Sequence, residues 1–330
     1  SVQNMARIIA AHQNEQLVVV VSAMGKMTNA FEAILAKTID QEPFEEAIED
    51  VKNFHLSIVK GLEIATQKQL QEDLEEIYEQ LVMRLNSYSS ATGYDFIYDQ
   101  TVSLAEVIST KIISAYLTHQ GIANEWVDAR KVVKTNNTHR QAMVDWGASQ
   151  AMIKSQVVPL LKDKIVLTQG FIGSNAKYNT TTLGREGSDF SAAIFATCMN
   201  AESVTIWKDV PGVLNADPKK FENTKLYERL PYKEAAEMTY YGATVIHPKT
   251  IKPLAQKKIP LFVRSFQQVE ASGTVIEECQ VPNLNPAIIH KDKQTVISFK
   301  ISDFSFINEH HIYTIFEHIK RLNLSINLMQ

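Results

Sequence analysis

The chain alternates between continuously apolar runs and stretches with helical spacing, and that order predicts a layered α/β fold. Val18 to Val21 form an unbroken apolar run, as expected of a strand covered on both faces in a parallel sheet. The run stops at Ser22-Ala23-Met24-Gly25-Lys26-Met27-Thr28-Asn29, and an amphipathic pattern begins at once. Thr28-Asn29 is placed to cap a helix burying Phe31, Ile34 and Leu35. Residues 30–88 read as helical. Leu70, Leu74, Ile77, Tyr78, Leu81, Val82 and Leu85 recur on one face, while Glu72, Asp73, Glu75, Glu76 and Glu79 form a solvated acidic one. A helix over Val102–His119 is closed by Gly121. Beyond it, "ANEWVDARKVV" and "KIVLTQGFIG" read as short buried strands around a helix near Ser149–Leu161. A helix over Asp189–Cys198, the strand "VTIWKDVPGV", the helix "PYKEAAEMTYYG" and the strand "IPLFVRSF" complete the alternation. The prediction is an open layered αβα sandwich with a mostly parallel central sheet.

A Pro- and Asn-rich break, "CQVPNLNPAIIHKDK", separates this unit, residues 1–280, from a tail over 285–330. In the tail, "TVISFKI", a helix from about Ile307 to Leu322 and "LSINLM" read as the opening of a small α+β module. Both chain ends read as cut.

Composition narrows the function classes. A net charge of -4 over 330 residues gives no electrostatic footprint for nucleic acid. No apolar run approaches the ~18 to 20 residues of a membrane span. Cys198 and Cys279 show neither metal nor disulfide spacing, which fits a reducing cytoplasm. The nine His are scattered, and the adjacent His310-His311 suits a solvated surface better than a metal site. No resident metal is expected.

Three turns next to buried elements carry the candidate chemistry. The first is Ser22 to Gly25 at the mouth of a helix, where unpaired N–H groups and a positive dipole end face an anion. A Walker phosphate loop is excluded, because Val20 stands where its first Gly is needed and Met27 where its Ser or Thr is needed. With a single Gly the dinucleotide fingerprint fails as well. The second turn is Gly184-Arg185-Glu186-Gly187-Ser188-Asp189, leading into a helix of small residues. Here Ser188 or Asp189 caps the helix, and Arg185 suits a carboxylate or phosphate. A plain Arg185–Asp189 pair at the turn explains the same residues. The third is "WKDVPGVLNADPKK", with Asp209 and Asp217 flanking a Pro-Gly turn. It follows a strand's carboxyl end, the edge where open α/β sheets bind ligands.

Together these segments identify the chain as resembling the aspartate kinases of the amino-acid kinase family, over nearly its whole length. "VVVVSAMGKMTNAFEAI", "SLAEVIST", "GFIGSN...TTLGREGSDFSAA", "IWKDVPGVLNADP" and "EAAEMTYYGATVIHPKTIKPLAQKKIPLFVRS" carry the resemblance. The tail from about Asn285 resembles the start of the family's ACT regulatory region. The resemblance implies ATP-dependent phosphorylation of the L-aspartate β-carboxylate, the first step toward lysine, threonine and methionine, with Mg²⁺ carried by the nucleotide. It implies that Thr28, Glu106, Phe171, Arg185, Gly187 and Ser188 bind aspartate. Glu106 would hold the ammonium, Arg185 would clamp the α-carboxylate, and Asp189 would orient substrate and the active-site Lys. Ser22, Gly25, Lys208, Asp209, Leu214, Asp217, Lys219 and Thr244 would face the nucleotide. An amino-acid effector at the ACT-like region and a homodimer or larger assembly are implied too.

Departures from the family pattern are local. The family's Lys-Phe-Gly-Gly-Thr would precede Ser1-Val2, Thr244 stands where many relatives have a phosphate-binding Lys, and Lys208 replaces a small hydroxyl residue. Leu214 replaces a Tyr, and Glu186 stands at a position commonly Gly. Two other readings stay open on the residues alone. One is a kinase of glutamate or acetylglutamate on the same fold; the other is a non-catalytic amino-acid sensor.

Overall fold

The computed structural model describes residues 1–300 except 244, 283, 291 and 293, and then 306–322, 324, 326 and 329. Helix α1 (Val2–Ala11) leads to strand β1 (Val18–Val21). The long helical stretch then resolves into α2 (Met27–Ile39), α3 (Glu45–Gly61) and α4 (Lys68–Asn86). The apolar spacing read from the sequence is the buried face of α4, with Leu70, Leu74, Ile77, Tyr78, Leu81 and Leu85 inside. Helix α5 (Tyr94–His119) starts a full two turns earlier than expected. Its first two turns, Tyr94-Asp95-Phe96-Ile97-Tyr98-Asp99-Gln100, interleave aromatic with acidic and amide residues, which hid the true start. From Thr101 to Thr110 every residue is buried, so this helix has no solvent face there.

Strand β2 (Asn124–Val127), the single turn α6 (Ala129–Val132), helix α7 (Trp146–Gln156) and strand β3 (Ile165–Gln169) follow. The strands β1, β3 and β2 form a parallel sheet in that order. Only the central β3 is buried along its whole length, whereas the Val18–Val21 run is half-buried at the sheet edge. A continuous apolar run was the expected mark of a doubly covered strand, and here β3 fills that role instead.

A short antiparallel hairpin, β4 (Ile172–Ser174) and β5 (Thr180–Thr182), precedes helix α8 (Gly187–Met199). The second half of the unit contains β6 (Val204–Lys208), β7 (Arg229–Pro231), α9 (Tyr232–Tyr241), α10 (Pro248–Lys257), β8 (Leu261–Ser265) and β9 (Thr274–Glu277). Its sheet runs β6-β8-β9-β7, parallel except between β8 and β9. The β4–β5 hairpin and the short strands β7 and β9 had no clear sequence signal, being three or four residues long. Helix α5 packs on α2, α4 and the first sheet, and α8 lies against α7 and α10.

In the tail, helix α11 (Glu309–Arg321) matches the expected one, with Asn308 accepting from the His311 N–H as its cap. Residues 295–300 are not paired as a strand among the described residues, and much of the expected last strand lies outside them. No helix among the described residues is long and apolar enough to cross a membrane.

Candidate active site

The carboxyl ends of β1, β3 and β6 open toward one cleft of about 820 Å³. Ser22 lines it from the turn after β1, Thr28 from the first turn of α2, Phe171 from the turn after β3, and Trp207 and Lys208 from the end of β6. Arg185 to Asp189 enter from the start of α8, and Glu106 from the middle of α5. Eight residues read from the sequence, together with Ser22, therefore meet in one place. They are Thr28, Glu106, Phe171, Arg185, Gly187, Ser188, Asp189 and Lys208.

Close backbone approach makes this convergence possible. A Cβ on Gly170 would lie 2.6 Å from Ser188 Cβ, and one on Gly187 would lie 2.6 Å from the Phe171 ring. Only glycine at both positions lets the end of β3 touch the start of α8. Phe171 and Glu186 both sit in the left-handed region, at φ 70° and 56°. Non-glycine residues persist there only when their surroundings hold them. Ser191 supplies one such hold, accepting the Phe171 N–H at 2.9 Å and donating to the Gly187 carbonyl at 3.0 Å.

Two expected caps are absent. Helix α2 begins at Met27 behind Lys26, so Thr28 and Asn29 lie inside its first turn without capping it. Helix α8 begins at Gly187 behind Glu186, which leaves Ser188 and Asp189 in the first turn. There Asp189 still faces the positive end of the helix dipole.

The electrostatics separate two regions. Glu106 is 3% exposed, and its Oε2 has no hydrogen-bond partner among the described residues. Burial pushes its pKa up to about 8, against a backbone hydrogen bond from Ala23 that lowers it. The same turn is tied to α5 by Ser109, whose hydroxyl donates to the Ser22 carbonyl at 2.7 Å. Across the cleft, Arg185 is exposed and makes no ion pair or hydrogen bond among the described residues. The alternative Arg185–Asp189 pairing does not form. Asp189 instead pairs with Lys208 at 2.7 Å, and Lys208 also contacts Glu186 at 3.3 Å. Burial raises the Asp189 pKa, while the Lys208 ammonium works in the opposite direction. An unpaired buried carboxylate, an unpaired guanidinium and a lysine bridging two carboxylates thus share one cavity.

The remaining expected nucleotide residues that the structure describes do not line this cleft. Gly25 is exposed at φ 55°, with Phe54 behind it. Asp209 is exposed just beyond Lys208. Leu214 bridges to Leu226, and Asp217 accepts the Lys219 N–H at 2.9 Å in a local turn. Thr244 lies outside the described residues. Sequence reading missed an entire wall of the cleft, formed by Asp95 and Tyr98 at the start of α5 and by Thr138 to Gln141. Those residues sit in an early helical turn and a polar loop without any motif. No group of three or more metal-ligating side chains stands together among the described residues.

Comparison with known proteins adds an independent line. Residues 1–265 match the amino acid kinase family. The chain is 32% identical to lysine-sensitive aspartokinase 3 of Escherichia coli over 98% of its own length and 71% of that protein. It is 33% identical to a chloroplastic bifunctional aspartokinase/homoserine dehydrogenase 2 of Arabidopsis thaliana, spanning 31% of that longer protein. The E. coli aspartokinase III structure in complex with aspartate and ADP superposes with a TM-score of 0.84 at 30% identity. That match covers all of this chain and 72% of that one.

Proposed function

The chain belongs to the amino acid kinase family and, within it, to the aspartokinases, and on that premise we propose that it transfers the γ-phosphoryl group of ATP to the β-carboxylate of L-aspartate. The products are 4-phospho-L-aspartate and ADP, the entry into aspartate-derived amino-acid synthesis. The observation that carries this reading is the buried Glu106 carboxyl, whose Oε2 has no partner among the described residues, opening onto the same cleft as the unpaired Arg185. A carboxyl group buried in this way is held ionised near neutral pH by a cation placed beside it, and an exposed guanidinium suits a carboxylate. An α-amino acid supplies both charges. An N-acylated substrate has no ammonium to offer Glu106, so this geometry disfavours it.

The chemistry needs positioning more than proton transfer. A carboxylate nucleophile is ionised at neutral pH without a general base. Catalysis of phosphoryl transfer rests on holding two anions in line and neutralising developing charge. Glu106 and Arg185 orient aspartate, with Thr28, Phe171, Gly187 and Ser188 around it. Lys208, poised by Asp189 and Glu186, brings positive charge toward the transferring phosphoryl group. The start of α8 adds N–H donors there. Mg²⁺ carried by the nucleotide would neutralise phosphate charge there. Ser22 and Gly25 form the phosphate-facing turn, while Asp209, Leu214, Asp217 and Lys219 extend the nucleotide side beyond the cleft wall, and Thr244, outside the described residues, is assigned to the nucleotide by the family pattern alone.

Residues 1–280 form the kinase unit in this reading, and 285–330 the beginning of an ACT-like regulatory module. An amino-acid effector acts through that module; lysine is the effector in the name of the E. coli relative. The protein works in the cytoplasm as a homodimer or larger. Hydroxylamine trapping of the acyl phosphate, with ATP–Mg²⁺ and L-aspartate, tests the proposal: aspartate-dependent hydroxamate supports it, and ATP binding without any hydroxamate refutes it.

A further inference from the structure

Among the described residues Asp99 is a fully buried acid with several hydrogen-bond partners, yet it lies outside the cleft lining. Its carboxylate is 0% exposed and joins three segments. His139 Nδ1 lies 2.8 Å from Oδ2, and the Arg140 N–H donates to both oxygens at 3.1 and 3.2 Å. Thr182 Oγ1 donates to Oδ1 at 2.6 Å. Burial pushes the Asp99 pKa up, and these donors oppose it.

Each of the three segments carries part of the cleft. Asp99 stands seven residues before Glu106 on α5, which places both on one face about 10 Å apart along the axis. Thr182 ends β5, three residues before Arg185. The loop holding His139 and Arg140 forms the wall beside the Gly184–Arg185 turn. A Cβ on Gly184 would lie 3.0 Å from the Arg140 carbonyl, so loop and turn are in direct contact. Arg140 is in the left-handed region at φ 63°, and its N–H is spent on Asp99. Its guanidinium lies 4.6 Å from the Tyr98 ring centroid, and Tyr98 donates to Glu32 of α2 at 2.5 Å. The Ala142 N–H donates to the Thr182 carbonyl at 2.9 Å, a second tie between loop and strand. Gln100 also ties α5 to β5, donating to the Thr180 carbonyl at 2.8 Å and accepting its N–H at 3.2 Å, but among the described residues only Asp99 joins α5, the 138–141 loop and β5 through one side chain.

We propose that Asp99 is a positioning residue that fixes the separation between Glu106 and Arg185, and thereby the length of acidic amino acid the cleft accepts. The proposal rests on the reading of Glu106 and Arg185 as the ammonium and α-carboxylate partners. With the anchor intact, the two charged groups of the substrate are held at one span, and its side-chain carboxylate reaches the phosphoryl group from that span. Loss of the anchor lets α5 and the Arg185 turn shift relative to each other. The nucleotide side, built on β1 and β6, is not attached to Asp99 and keeps its geometry.

The test compares the wild-type full-length protein with Asp99→Asn and Thr182→Val. The measurements are kcat/KM for L-aspartate and L-glutamate, ATP affinity by calorimetry, and Tm. Asp99→Asn is expected to raise the aspartate KM roughly tenfold or more and to cut the preference for aspartate over glutamate by a similar factor. ATP affinity stays within about twofold. Thr182→Val keeps the carboxylate and two of its partners, and so shifts the same preference by a smaller factor even where Asp99→Asn folds poorly. A preference unchanged in both variants overturns the proposal. Equal weakening of aspartate and ATP also overturns it, because that marks a general structural role. Wild-type protein that binds ATP but never phosphorylates aspartate removes the functional reading and this proposal together. Active wild-type protein with unmoved variants removes only the assignment of Asp99.

Discussion

Replacing Glu106 by Gln keeps the shape of the side chain and removes its charge. Because Oε2 is buried without a partner, the bound ammonium is its main compensation. Removing one member of such a partly desolvated pair costs about 2 to 4 kcal/mol, less than full burial because an amide oxygen still accepts a hydrogen bond. That corresponds to a rise in aspartate KM of roughly thirtyfold to several hundredfold. Steady-state kinetics with varied aspartate at saturating ATP reads it directly. The pH dependence provides a second readout. The pKa of about 8 in the free protein means the carboxyl is largely protonated near neutrality, whereas the ammonium needs the carboxylate. Aspartate kcat/KM therefore climbs by up to about tenfold per pH unit from pH 6 and levels off near pH 8. Glu106→Gln should lose that slope. Stability moves the other way. The folded pKa lies above the unfolded one, so the native state binds the extra proton, and stability is lost as pH rises between about 4.5 and 8. The ligand-free Gln variant should thus melt a few degrees higher than wild type at pH 8. An aspartate KM within about twofold of wild type, with the slope retained, would refute the assignment.

Arg185→Ala should weaken aspartate by roughly tenfold to a hundredfold while ATP is unchanged, since an exposed charge-assisted pair contributes about 1.5 to 3 kcal/mol. A raised ATP KM with an unchanged aspartate KM would move Arg185 to the nucleotide side. Lys208→Ala leaves Asp189 and Glu186 facing each other without their cation. It should lower kcat by about a hundredfold and cost roughly 1 to 3 kcal/mol in denaturant unfolding. Adding Asp189→Asn should return part of that stability but none of the turnover, and a Lys208→Ala enzyme of normal kcat would exclude the charge-neutralising role. Gly170→Ala would place a Cβ 2.6 Å from Ser188 Cβ and 2.7 Å from its Cα, so about 2 to 4 kcal/mol of destabilisation is expected. A wild-type melting curve for that variant would show that β3 and α8 can separate freely.

The alternation of elements was legible because apolar runs and helical spacing differ strongly across residues 1–280. Boundaries were less so. The mixed aromatic and acidic start of α5 concealed its boundary, and the short strands of the hairpin and second sheet are too brief to show a period. Half of the cleft was readable because glycine turns and the Glu106 and Arg185 segments carry a family pattern. The wall from Thr138 to Gln141 was not, because its geometry is imposed by Asp99 from forty residues away. Glu106 is the sharpest case. Spacing alone places it off the apolar stripe and predicts a solvated residue, but α5 is buried on all sides here, so its carboxylate enters the cleft rather than water. Lys208 gave no sequence sign of its pairing with Asp189, which depends on β6 ending opposite the start of α8.

The central claim is that this cleft recognises a free α-amino acid and phosphorylates its side-chain carboxylate. Its most direct test is hydroxylamine trapping with ATP–Mg²⁺ on L-aspartate, N-acetyl-L-aspartate and succinate side by side, using the full-length protein. The account predicts hydroxamate with L-aspartate and at least about a hundredfold less with either compound that lacks the ammonium. Comparable hydroxamate from N-acetyl-L-aspartate or succinate would contradict it.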